Sequence, residues 1–133
     1  MKSFKEFMQE SDKMVVPPAK VTSDYIYHRL RTNRDLEEIK EKGLQPNIGP
    51  GKHKEVYFFH GKDGEHFAKH YHNVSPTTER NSAILRVHRD NFPSDLRWGG
   101  SDIAVSSPSK IPSEHLEIKK EDGTWEKLRK NEK

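Results

Sequence analysis

Apolar residues fall in short, separated runs along the chain, and the spacing inside each run points to a particular element. Tyr25-Ile26-Tyr27-His28-Arg29-Leu30 mixes aromatic and branched residues, the composition of a short strand. From Thr32 to Gly43 the period changes. Leu36 and Ile39, with Leu30 and Leu44 just outside, make one thin apolar stripe on a helix. Thr32 or Asn33 can cap that helix, acids occupy its first turn and lysines its last, and Gly43 with Pro46 beyond it ends it. A loop from Asn47 to Lys54, containing Gly49-Pro50-Gly51, leads into Val56-Tyr57-Phe58-Phe59, a compact run suited to a buried strand. A second helix opens at Asp63 or Gly64 and runs to about Tyr71, with Phe67, Ala68 and Tyr71 on its inward face.

Beyond a polar loop from Asn73 to Asn81, the pattern returns to strands. Ala83-Ile84-Leu85-Arg86-Val87 is the third and Ile103-Ala104-Val105 the fourth, with a long excursion from Asp90 to Gly100 between them. Leu116 to Lys119, a turn at Glu121-Asp122-Gly123-Thr124 and Trp125 to Leu128 form a closing hairpin. At the other end, Phe4, Phe7 and Met8 stand at helical spacing within Met1 to Glu10, and Val15-Val16-Pro17-Pro18 follows as an extended stretch. The organisation expected is an amphipathic leader at 1–10, a linker at 11–22, one domain at 23–128 and a frayed tail at 129–133.

Composition narrows what this domain can do. A chain of 133 residues with 30% hydrophobic against 34% charged side chains supports one small core. The lack of cysteine excludes disulfides, thiolate-zinc sites and thiol catalysis. The 24 Lys and Arg are interspersed with 21 Asp and Glu, so no basic block marks a nucleic-acid partner, although a pI near 9.0 favours anionic ligands, dinucleotides included. No run of 18 apolar residues occurs, and no membrane partner is expected.

Strand, helix, loop, aromatic strand, helix and then several strands is an α+β order with most sheet pairing left to the second half. The words at the junctions add to this: Tyr27-His28-Arg29-Leu30, Lys42-Gly43-Leu44-Gln45-Pro46, Val56-Tyr57-Phe58-Phe59, and a helix bearing Ala68 and Tyr71. Together they resemble the first half of small ADP-ribosyltransferases of the diphtheria-toxin and poly(ADP-ribose) polymerase type. The run from Lys110 to Ile118 and Asp122 to Trp125 is similar to the close of short proteins of that superfamily, so the resemblance covers about residues 25–128.

The resemblance implies an ADP-ribosyltransferase-like split sheet, mixed or antiparallel, with two short helices, and NAD as substrate. It implies that His28 hydrogen-bonds a ribose hydroxyl or the carboxamide side of NAD and that Tyr57 stacks on the nicotinamide. Arg29, with Arg31, would meet the pyrophosphate, since a planar guanidinium pairs bidentately with phosphate oxygens. The family's acid, usually Glu, has its counterpart in Asp102, one methylene shorter, with Glu114 and Glu117 as fallbacks. The activity implied is transfer of ADP-ribose to a host protein or nucleic acid with release of nicotinamide.

Met1 to Glu10 is similar to the capsid-targeting leaders of internal proteins in T-even-like phages, which end in an apolar-x-Glu site such as Met8-Gln9-Glu10. That likeness implies cleavage after Glu10 by a prohead protease, a place in the virion interior beside the capsid, and entry into the host cytoplasm with the DNA. Without it, a cytoplasmic protein is expected. Three other readings of the same residues stand beside this one. His66, His70 and His72 have zinc-like spacing, but no Glu follows the first His and Phe67 and Tyr71 take the inward face, so a solvated histidine surface and no metal is expected. Arg29, Arg31, Arg34, Arg80, Arg86, Arg89 and Arg97, with Tyr25, Tyr27 and Trp98, could converge into a nucleic-acid-binding module. The fold could also be retained without chemistry in an internal virion or interaction protein.

Overall fold

The computed structural model describes residues 15–17, 20–46 and 55–128. The leader at 1–10, the loop from Asn47 to Lys54 and the tail at 129–133 lie outside the described residues. The strands are β1 (Tyr25–Arg29), β2 (Val56–Phe59), β3 (Ile84–His88), β4 (Arg97–Trp98), β5 (Ala104–Ser107), β6 (Leu116–Lys119) and β7 (Trp125–Lys127). Among the described residues two short helices, α1 (Leu36–Lys42) and α2 (Gly64–Lys69), complete an α+β architecture. All seven strands join in one antiparallel sheet of order β4-β5-β2-β1-β3-β6-β7.

The pleat sorts side chains between two faces, because alternate residues of a strand point to opposite sides. Ile26 on β1, Val56 and Phe58 on β2, Leu85 and Val87 on β3 and Val105 on β5 share one face and form the buried core. Ile39 of α1 closes over that face together with Leu96 and Ile111. Each such side chain fully buried contributes about 1.5–3 kcal/mol, which is how a sparse apolar inventory holds the sheet. On the opposite face Phe59 of β2 meets Phe67 and Tyr71 of the α2 region. Beside them Arg86 lies between the rings of Tyr25 and Trp125, at 3.8 and 4.3 Å from their centroids, and pairs with Glu117 at 2.9 Å.

Helix α1 follows its local chemistry closely. Thr32 Oγ1 accepts from the Arg34 amide, a short 3-10 turn covers Asn33–Asp35, and the acids Glu37 and Glu38 and the bases Lys40 and Lys42 complement the helix dipole. Gly43 terminates it at φ 81° and ψ −179°, and its amide donates to Ile39 O at 2.8 Å. Leu44 and Ile111 then exchange both backbone hydrogen bonds, at 2.9 and 2.8 Å, which ties the helix end to the segment after β5.

Two features depart from the sequence expectations. The excursion between the third and fourth strands contains β4, a two-residue edge strand paired with β5. Val15, Val16 and Val21, placed by sequence in a linker, pack on the domain: Val15 bridges Arg97, Val16 N donates to Leu96 O at 2.7 Å, and Val21 is fully buried. Pro17 disfavours a helical residue before it, and an extended chain with free amides can add to a sheet edge as readily as it can span a gap.

Candidate functional site

The sheet has a seam beside its centre. β1 pairs with β3 along all of Tyr25 to Arg29, whereas its register with β2 consists of Tyr27 opposite Phe59. Past that pair, toward Arg29, the His28 imidazole takes over the connection, with Nδ1 donating to Tyr57 O at 2.7 Å across 29 residues of sequence. A carbonyl can only accept, so this bond fixes the proton on Nδ1 and leaves Nε2 as the acceptor of the neutral ring. The ring packs on Phe58, centroids 5.5 Å apart, and burial pushes its pKa below the ordinary histidine value despite the opposing effect of the Tyr57 carbonyl.

A pH dependence of stability follows from that direction. A histidine whose folded pKa is depressed lets the unfolded chain bind a proton that the folded chain refuses, so its stabilising effect is present above the unfolded value near 6.5 and is lost as pH falls below it. His60, also lowered by burial, adds to the same trend. The urea midpoint of the native protein should therefore fall between about pH 7 and pH 5, and His28→Asn, which keeps a side-chain donor for Tyr57 O, should show a shallower fall. Parallel curves for the two proteins would assign the trend to other groups.

The residues singled out by sequence meet this seam in different ways. Tyr57 is 41% exposed and lies on the face of Phe59, while His28 lies on the face of Phe58, so the phenol and the imidazole belong to opposite sides of the sheet and are linked through the Tyr57 backbone. Asp102 stands in the exposed turn that enters β5. Tyr57 faces Ser106, and at about 3.3 Å per residue Asp102 is roughly 13 Å farther along the strand, at the opposite end of β2. Its charge is felt there by His60, whose amide donates to Ile103 O at 2.8 Å. Of the fallback acids, Glu117 is paired with Arg86 and Glu114 lies in the exposed turn before β6.

Arg29 corrects the sequence expectation. Its guanidinium was assigned to a pyrophosphate at the strand end, but the residue is 6% exposed and every one of its N–H groups faces a protein acceptor. Nε donates to Ser82 Oγ, one terminal nitrogen to Ala68 O and Lys69 O, and the other to Glu79 O and Arg80 O, at 2.6–3.2 Å. A guanidinium has five donors, so none remains for phosphate. Arg31 is half-buried and holds Thr77 Oγ1 at 2.6 Å.

His60 is the residue that sequence reading passed over. It follows directly on the aromatic run of β2, and its Nδ1 is buried with no hydrogen-bond partner while the Asp102 charge acts on it. The signal in the sequence was a histidine at the end of an otherwise apolar strand, but eight histidines made it one among many. His66 and His70 are both exposed, with ring centroids 4.5 Å apart, and among the described residues no group of three potential ligands assembles a metal site. Among the described residues no helix is long and apolar enough to cross a membrane. No protein-family model, curated protein or solved structure matches the chain.

Proposed function

We propose that the chain is an ADP-ribosyltransferase-like domain that binds NAD at the β1–β2 seam and transfers ADP-ribose to a host macromolecule. The observation that carries this reading is the bond from His28 Nδ1 to Tyr57 O. It joins two residues distant in sequence at the place where the central strands part, and it fixes the backbone that carries the Tyr57 ring. The exposed Tyr57 ring, on the face of the sheet opposite the imidazole, supplies a stacking surface for nicotinamide. In the reaction the bond between nicotinamide nitrogen and the ribose C1′ breaks, the electron pair leaves with nicotinamide, and an acceptor nucleophile bonds to C1′ and loses its proton. Asp102, in the turn before β5 and about 13 Å along the sheet from Tyr57, is the candidate acid for the cationic ribose, and that distance and its shorter side chain make it a slower counterpart of glutamate. The phage-type leader adds delivery from the virion interior, with prohead protease and capsid as partners, to this reading.

A fold retained without chemistry is favoured by a different observation: Asp102 sits with His60 at one end of β2 while His28 meets Tyr57 nearer the other. One pair of experiments separates the two. Calorimetric titration with NAD should give saturable binding that weakens about tenfold or more in Tyr57→Ala, a loss of about 1.4 kcal/mol, and the native protein should release nicotinamide. Binding without release would leave an inactive dinucleotide module, and heat indistinguishable from dilution would remove the NAD reading altogether.

A further inference from the structure

The outward side of α2 and the loop after it carry Lys69 and Arg80, neither of them ion-paired among the described residues, while the helix's own acid, Glu65, is held by Lys119 at 2.6 Å. With Gly64 and Ala68 as the buried positions, an advance of about 100° per residue places Phe67, His70, His66 and Lys69 next to one another around the exposed side. The His70 ring is 4.5 Å from that of His66 and 6.3 Å from that of His72. Beneath them Arg29 brings a buried charge to the last carbonyls of the helix, and all of its partners are neutral. Arg31 and the exposed Arg80 flank the same loop. The pairs of Lys40, Lys42, Arg86 and Arg89 lie elsewhere, and Lys119 reaches α2 from β6 to pair with Glu65. The acids of this region are Asp63 at the start of α2, Glu65, held by Lys119, and Glu79, whose carboxylate accepts from the Asn33 amide at 3.3 Å. Dehydration, His66, Lys69, His72 and Arg29 all oppose protonation of His70, as a concentrated positive field requires.

An aromatic ring sits at the border of this field. Phe67 is 38% exposed, with its ring lying at 28° on that of Phe59, centroids 6.3 Å apart, and the His66 ring edge-on to it at 5.9 Å. A flat apolar ring next to unpaired cations is complementary to a chain that alternates bases with phosphates. In a duplex the base faces are hidden, so an exposed ring selects an unpaired strand.

We propose that this surface binds single-stranded nucleic acid, with Lys69 and Arg80 on the phosphates and Phe67 under a base. The proposal is independent of the NAD reading, because none of these residues belongs to the His28–Tyr57 seam. Fluorescence anisotropy with a labelled, mixed-sequence oligodeoxynucleotide tests it on the full chain. Affinity should fall linearly in a plot of log K against log salt between about 50 and 200 mM. Lys69→Gln with Arg80→Gln should weaken binding about tenfold at the lower salt and make the slope shallower by about 1.4, since each phosphate contact contributes roughly 0.7 for a single strand. Phe67→Ser should weaken it about fivefold with the slope unchanged. Lys40→Gln with Lys42→Gln, which removes the same charge from α1 on the other face of the sheet, should leave both unchanged. The proposal is overturned by absent binding at low salt, by equal losses in the two lysine-containing double variants, or by a duplex bound as tightly as the strand. NAD titration of the same proteins reports on the seam separately.

Discussion

Replacing Arg29 by methionine should destabilise the protein by about 4 kcal/mol and lower its melting temperature by roughly 10 °C or more. Methionine fills much of the volume but donates nothing, so Ser82 Oγ and the carbonyls of Ala68, Lys69, Glu79 and Arg80 all lose a partner at once. A buried acceptor left unpaired costs about 1–3 kcal/mol, and the total stays below the sum because Ala68 O keeps the His70 amide and Glu79 O keeps the Ser82 amide and hydroxyl. Against a stability of about 5–15 kcal/mol this is a large fraction. Arg29→Lys should recover less than half of the loss, because a single ammonium cannot reach acceptors arranged around a planar fork. The segment from Glu79 to Ser82 should also become more sensitive to proteolysis, since Arg29 is its main tie to α2. Urea denaturation of the three proteins is the measurement. A methionine variant within about 1 kcal/mol of the native protein would mean that water satisfies these groups and that Arg29 is not the fastener described.

Gly43→Ala should cost about 3–5 kcal/mol through two additive effects. The backbone at φ 81° and ψ −179° belongs to a region populated almost exclusively by glycine, and placing an L side chain there costs about 1–3 kcal/mol. A Cβ at this position would also run into the carbonyl of Ile111, with the Ile111 carbon and Pro112 Cα at 3.1 Å. The carbonyl cannot retreat freely, because it accepts from Leu44 N at 2.9 Å and Ile111 is a core residue. The expected result is a variant whose thermal midpoint drops by about 10 °C or more, with Gly123→Ala as the comparison. Gly123 shares a positive φ of 89° but has open space around it, so its alanine variant should pay only the backbone strain. Equal losses in the two would show that the approach to Ile111 contributes nothing.

Most of the elements could be read from local pattern. β1, β2, β3, the closing hairpin and α1 fall within a residue or two of the expected positions, because capping, turn chemistry and alternation act over a few neighbours. The hairpin turn is an example: Asp122 accepts from Thr124 N and Oγ1 at 2.9 and 2.6 Å, bonds between residues two apart. β4 escaped notice because two residues are too few to show a period. The site was less legible. His28 and Tyr57 could be named from the words around them, yet nothing local showed that the imidazole would bond a backbone carbonyl and the phenol point to the other face. Arg29 was misread because an arginine at a strand end has the same local signature whether it faces solvent or the interior.

What the chain's residue order determined by itself is the succession of strands and helices, the caps and stops between them, and a single small apolar core. Only the tertiary structure decided that the first strand becomes central, that β1 and β2 part beside His28, and that Arg29 acts as an internal clamp. The reason is distance along the chain. Arg29 finds Ala68 and Ser82 from 39 and 53 residues away, and partners at that separation are chosen by how the faces pack, which no window of neighbouring residues contains.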